Sequence, residues 1–198
     1  MVLDRTPTAY DDRIYGPDWR AWKDAEVPDW FDPVDKLIGR HVGTPAEGKT
    51  AIIADGQSVT YGELLKLIDR YGGALAAAGL AAEQRMLLFG TDSLDYVCTW
   101  LGAVRIGAIP VVVSDLYKQK ELLYFITDTG VPLLFIDSEQ VPKLIEVARD
   151  LPPSLKTVIV RGEAPALASH LPGRTVVELK AAVAGAEPAT SRPRHSND

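Results

Sequence analysis

The sequence predicts an α/β protein: a mostly parallel sheet with helices on both faces, Rossmann-like and doubly wound, preceded by a β-hairpin and an irregular N-terminal extension. Three observations carry this. Short, continuously apolar runs at 86–89, 109–113, 132–136 and 157–160 have the length and composition of strands buried on both faces. Segments with apolar residues at helical spacing lie between them. Polar corners rich in Asp, Ser and Thr, the residues that cap helices, mark the changeovers.

In chain order, residues 1–30 read as an extended arm that mixes Asp, Arg and Pro with Tyr10, Tyr15, Trp19, Trp22 and Trp30 and shows no sustained periodicity. Aromatics so spaced are expected to pin the segment to the domain surface. Residues 31–186 form the α/β unit. Asp32-Pro33 opens its first helix, an N-cap aspartate followed by proline at the first helical position, with Val34, Leu37, Ile38 and Val42 as the apolar stripe. His41 falls off that stripe, with no histidine or cysteine at ligand spacing, and is expected to face solvent. The run 50–54 ends at Asp55-Gly56, a strong hairpin signal, so 57–60 returns as its antiparallel partner.

Thr60 and Glu63 match a capping box that starts a long helix reaching Ala78, with Leu64, Ile68, Tyr71 and Leu75 on one face and Gly79 as its stop. Gly72 and Gly73 inside it each cost about 1 kcal/mol against alanine. Close approach of a neighbouring element accounts for them. The central unit, 85–113, is strand, helix, strand. Asp92 or Ser93 caps the helix, Val97, Trp100, Leu101 and Val104 form its stripe, Arg105 lies in the last turn, and Gly107 ends it. Such a crossover joins neighbouring parallel strands. Further on, helices are expected at 120–129, from Asp137 to Leu151 and over 176–183, with strands at 132–136 and 157–160. The composition of 187–198, Pro, Ser, Arg and Asn, reads as a linker-like tail with nothing to bury.

Hydrophobic residues at 46% and charged residues at 24% are ordinary globular values, and the net charge of −6 argues against nucleic-acid or anionic-membrane partners. No apolar run reaches the roughly 18 residues of a membrane span and no signal pattern opens the chain, so the cytoplasm is the expected compartment. The single cysteine, Cys98, forms no internal disulfide and sits mid-helix as a buried, inert thiol.

Four parallel strands would bring Thr91, Asp92, Ser93, Ser114, Asp115, Asp137 and Ser138 to one carboxyl edge, where open α/β sheets bind ligands. The same residues are also ordinary helix caps. No GxGxxG, GxxxxGK[ST] or GxSxG motif is present, and His41, His170 and His195 stand apart. From the residues alone, no catalytic or metal-binding set is assigned.

Several stretches nevertheless follow one another in a familiar order. They are VTYGEL (59–64), LLFGTDS (87–93), WLGAVRIGAIPVVV (100–113) and LYFITDTGVPLLFID (123–137). Together they resemble the N-terminal part of the adenylate-forming acyl-CoA synthetases, and most of all the benzoate and aryl-CoA ligases. The resemblance implies an intact enzyme that uses ATP and Mg2+ to convert a small carboxylic acid into an acyl-adenylate, then coenzyme A to form the thioester. It implies as well that the family's Ser/Thr/Gly-rich phosphate loop with its lysine would follow beyond Asp198. The chain is therefore expected to be a fragment, a truncated reading frame or one half of a split protein, inactive alone, binding no cofactor unaided, partnered by the rest of the ligase polypeptide, and exposing apolar surface where that rest packs. Where aryl-CoA ligases usually carry an asparagine after this strand, Ser114 stands here, followed by Asp115-Leu116-Tyr117-Lys118. The family places this loop towards coenzyme A, which makes Lys118 and Ser114 candidate coenzyme-side residues, against the simpler picture of a solvated lysine at a helix start. Two other classes stay open: a stand-alone α/β ligand-binding or interaction module without catalysis, and a flavodoxin-like nucleotide or signalling domain.

Overall fold

The computed structural model describes residues 30–54 and 56–195. The expected N-terminal arm, Trp30 excepted, and Asp55 of the hairpin turn lie outside the described residues. The chain opens with a short strand β1 (Trp30–Phe31) and helix α1 (Pro33–Leu37), capped by the Asp32 side chain, which accepts from the Val34 and Asp35 amides. The helix is shorter than its apolar spacing suggests. A 3-10 turn (Gly39–His41) takes over, and Leu37 and Val42 stay exposed while Val34 is fully buried. His41 is not free in solvent but lies against the Tyr61 ring, centroids 4.1 Å apart.

β2 (Thr50–Ala54) and β3 (Gln57–Thr60) form the expected antiparallel hairpin. α2 (Tyr61–Ala77) starts at the Thr60/Glu63 capping box and buries Leu64, Ile68, Tyr71 and Leu75. Then come β4 (Arg85–Phe89), α3 (Leu94–Arg105) capped by Ser93, β5 (Ile109–Val113), α4 (Gln119–Thr129) and β6 (Leu133–Asp137). α5 (Val141–Glu146), β7 (Thr157–Arg161), α6 (Leu167–His170), β8 (Thr175–Glu178), α7 (Leu179–Ala184) and β9 (Arg194–His195) complete it.

Five strands form one sheet in the order β5-β4-β6-β7-β8, every neighbouring pair parallel. In order of appearance this is 2-1-3-4-5, the flavodoxin-like arrangement. The chain first steps one way, from β4 to β5, and then reverses. A right-handed connection that reverses direction must place its helix on the other face. Accordingly α2, α3 and α7 pack with Met86, Leu88, Leu133, Phe135 and Ile159 on one face, whereas α4, α5 and α6 cover Leu87, Phe89, Leu134, Ile136 and Val160 on the other. Each of these fully buried side chains supplies roughly 1.5–3 kcal/mol of transfer free energy.

Several expectations need correction. Residues 176–183 are not one helix: Thr175–Glu178 is the fifth strand, paired with β7, and the helix begins only at Leu179. α5 ends at Glu146, not near Leu151, and is entered through a 3-10 turn (Ser138–Gln140) that puts Pro142 in its first turn, where a missing N–H is harmless. α3 buries only part of the stripe read from hydropathy: Leu101 is buried and Val97 and Val104 are partly buried, but Trp100 is not. Cys98, Leu101, Gly102 and Arg105 face inward while Trp100 is exposed, because α3 meets α2 too closely for bulk. A Cβ on Gly102 would lie 2.7 Å from the Gly72 amide nitrogen, and one on Gly73 would lie 1.8 Å from the Glu187 carbonyl oxygen. Gly72 and Gly73 thus serve different approaches, one to α3 and one to the tail.

The tail is not idle either. The Ala189 amide donates to the Asp69 carbonyl, the Ser191 hydroxyl to Asp32 and Asp35, and the Arg194 guanidinium to the Ala108 carbonyl, and β9 pairs with β1. Exposed apolar side chains do occur beside the free edge of the sheet: Val112 on β5, then Leu116, Tyr117 and Tyr124 beyond it.

Candidate functional site

The strand order reverses between β4 and β6, and open α/β sheets bind ligands outside the carboxyl ends of the strands at such a point. A cleft of about 540 Å³ lies there, lined by Thr91, Asp92, Ser93 and Asp95 after β4, by Asp137 to Gln140 at the end of β6, and by Arg161 and Gly162 after β7. Of the residues the sequence places on this edge, Thr91, Asp92, Ser93, Asp137 and Ser138 come together. Ser114 and Asp115, at the end of the edge strand, do not line the cleft.

Asp137 is its anchor. Its side chain is 1% exposed and one oxygen, Oδ2, accepts from the Thr91 amide at 2.8 Å, the Thr91 hydroxyl at 3.0 Å and the Arg161 guanidinium. Arg161 also donates to the Thr91 hydroxyl, closing a three-residue ring across β4, β6 and β7. The carboxylate fits because residue 90 is glycine, whose missing Cβ would sit 2.7 Å from Asp137 Oδ1. Nothing local in the sequence marks Arg161 as the partner. Only the parallel pairing Asp137↔Arg161 brings the two side by side.

The cleft is acidic: Asp92, Asp95, Asp137 and Glu139 face one arginine. Buried Tyr96 registers this field. Burial first, then the charges of Asp92, Asp137 and Asp115, push its phenol up to about 12. Burial, the hydrogen bond to Asp95 and the charge of that carboxylate likewise raise Tyr71. Burial carries the Cys98 thiol to about 12, so it stays protonated and inert, as its place mid-helix implies. A nucleotide triphosphate needs cations and amide donors where this cleft offers carboxylates. Among the described residues, no group of three or more His, Cys, Asp or Glu is placed to hold a metal ion. These residues do not fit ATP with magnesium, and no step through either is derived from them.

A larger groove, about 830 Å³, opens between β3, α2, Leu94 and Pro188. Its carboxylates are already engaged, Glu63 in the capping box and Asp69 with Arg105, and Lys66 and Arg70 line it as exposed cations. The loop after β5 is different again. Ser114 is exposed and its hydroxyl accepts from the Leu116 amide, and the Lys118 amide donates to Glu121 while the residue itself is exposed at the start of α4.

The family model described as AMP-binding enzyme matches residues 40–198. The chain belongs to the AMP-binding enzyme family. Among its relatives, the 3-hydroxybenzoate–CoA ligase of Aromatoleum sp. (strain CIB) is 36% identical over 134 residues, which is 67% of this chain and 25% of that protein. A 3-hydroxybenzoate–CoA/4-hydroxybenzoate–CoA ligase of Thauera aromatica is 37% identical over 139 residues, 69% of this chain and 26% of that one. The crystal structure of an acyl-CoA synthetase from Brucella canis superposes with a TM-score of 0.71 at 26% identity, covering 88% of this chain and 31% of the other. The chain therefore spans about a quarter of the length of the curated relatives it matches. No helix among the described residues is long and apolar enough to cross a membrane.

Proposed function

We propose that this chain supplies the N-terminal scaffold of an ATP-dependent carboxylate–CoA ligase acting in the cytoplasm on an aromatic acid such as a benzoate. On this reading the whole enzyme uses ATP, Mg2+ and coenzyme A: the carboxylate displaces pyrophosphate to give an acyl-adenylate, and the coenzyme thiol then displaces AMP. The scaffold does neither step unaided; its partner is the remaining ligase polypeptide. The observation that carries this is the match to hydroxybenzoate–CoA ligases over only a quarter of their length, by a unit whose strand-end cleft is acidic. Phosphoryl transfer must stabilise negative charge in flight. Four carboxylates facing one guanidinium work against that, so the cations belong to other parts of the enzyme. What this unit contributes is a rigid wall.

Ser114 and Lys118, on the exposed loop after β5, form the coenzyme side of that wall, with Lys118 as a point charge for a coenzyme phosphate. The test is benzoyl-CoA formation from benzoate, ATP, Mg2+ and coenzyme A. The chain alone is expected to form none, and the chain joined to the remaining portion of a hydroxybenzoate–CoA ligase is expected to form it. Thioester from the chain alone overturns the proposal. In the joined enzyme Lys118→Ala should raise the KM for coenzyme A about fivefold, since an exposed ion pair is worth up to about 1 kcal/mol. An unchanged KM removes Lys118 from the site.

A further inference from the structure

One side chain on α5 reaches across the carboxyl edge of the sheet to the loop that carries Ser114 and Lys118. The Lys143 ammonium donates to the Asp115 carbonyl at 2.7 Å and to the Tyr117 carbonyl at 2.7 Å, and it lies 5.3 Å from the centre of the Phe89 ring. Phe89 ends β4, the loop follows β5, and α5 follows β6. Because the sheet order is β5-β4-β6, a single ammonium starts beyond β6, passes over the end of β4 and grips the chain leaving β5. It thereby ties together both sides of the point where the strand order reverses. Besides this tie the loop is held at its far end, by the Tyr117 ring against Phe125, centroids 5.3 Å apart, and by the Lys118 amide on Glu121. Its own internal hydrogen bonds are few, Leu116 amide to Ser114 hydroxyl and Tyr117 amide to Ser114 carbonyl, both at 3.3 Å. Leu116 is 85% exposed and adds no packing. Two carbonyls converging on one charged donor, partly shielded by an aromatic ring, make strong charge-assisted bonds.

We propose that Lys143 is a positioning residue, whose ammonium fixes the Ser114–Lys118 loop and so preorganises the coenzyme-facing wall. The part about the coenzyme rests on the reading given under Proposed function; the clamp itself rests on the contacts alone. Arginine at 143 keeps several N–H donors and should still bridge the two carbonyls, whereas methionine keeps the length and apolar stem without the charge.

Two measurements, the first on the chain and the second on the joined enzyme, test this and separate the two levels. In amide hydrogen exchange, Lys143→Met should speed exchange at Leu116, Tyr117 and Lys118 at least tenfold with β4 and β6 unchanged, and Lys143→Arg should recover most of the protection. Unchanged loop exchange in Lys143→Met, or acceleration spread equally over β4 and β6, overturns the clamp. Adenosine 3′,5′-bisphosphate, titrated into the chain joined to the remaining portion of a hydroxybenzoate–CoA ligase as a probe for the phosphate-bearing end of coenzyme A, should perturb the Ser114 and Lys118 amides. Its affinity should fall at least fivefold in Lys143→Met and return in Lys143→Arg. Equal affinity in Lys143→Met and wild type overturns the functional role of the clamp. Loss of loop protection together with no bisphosphate response in the wild type sinks the coenzyme reading and leaves the clamp standing.

Discussion

Two arginine–aspartate clusters sit in this molecule, and they are built to different standards. In the first, Arg105 donates to Asp32 at 2.8 Å, Asp35 at 2.6 Å and Asp69 at 2.7 Å. Asp32 there uses both oxygens, one for its own helix cap and the other for Arg105 and Ser191. In the second, Arg161 and Thr91 load a single oxygen of Asp137, and the other oxygen is buried without a hydrogen-bond partner. The first cluster joins α1, α2, α3 and the tail on one face of the sheet. The second lies in the cleft at the strand ends. A fully engaged cluster fixes architecture. An under-engaged one, beside the chain reversal, leaves a buried acceptor at the strand ends.

The comparison predicts unequal costs. Arg105→Met should be the most damaging, about 3–5 kcal/mol by chemical denaturation, because it leaves buried Asp32 without its cation. Arg161→Met should cost less, about 1–3 kcal/mol, since it strips the cation from one carboxylate rather than three. Equal losses would abolish the distinction between the clusters. Ser191→Ala should cost about 1 kcal/mol and speed proteolysis within 187–195, the tail that Ser191 holds to Asp32 and Asp35. A stable, still-protected variant would show that the tail contributes nothing to the first cluster.

The smallest effect is expected at an exposed control outside both clusters. The hydrogen bonds from the Thr60 backbone and hydroxyl, and then Lys66, hold Glu63 below the usual carboxylate range. A lowered folded-state value stabilises above the unfolded value of about 4.3 and loses that contribution as pH falls through the folded value. The Tm difference between wild type and Glu63→Gln should therefore be largest near pH 7 and shrink as pH falls below about 4. A difference that grows on acidification would reverse the assignment.

What could be read from the sequence follows how local each determinant is. β4, β5 and the cap of α3 were legible because an apolar run, a serine and a glycine lie within a few residues of what they control. β8 was not. Thr175–Glu178 is half-exposed and becomes a strand only by pairing with β7, and its Val-Val pair runs straight into the helix at Leu179. Arg105 reads as a last-turn cation, yet its three carboxylates lie 36, 70 and 73 residues away, out of reach of any periodicity. The tail misled for the same reason. Hydropathy sees nothing to bury in 187–195, and its anchors are hydrogen bonds. For the candidate site, the sequence located the edge and five of its residues but neither Arg161, which needs the β6–β7 register, nor Lys143, which needs the sheet order.

The central claim is that this unit shapes a ligase without performing its chemistry, and acid-dependent ATP–pyrophosphate exchange by the purified chain, with Mg2+ and benzoate, tests it most directly. The account predicts exchange no greater than in a blank lacking the acid. Exchange that rises with benzoate and saturates would contradict it.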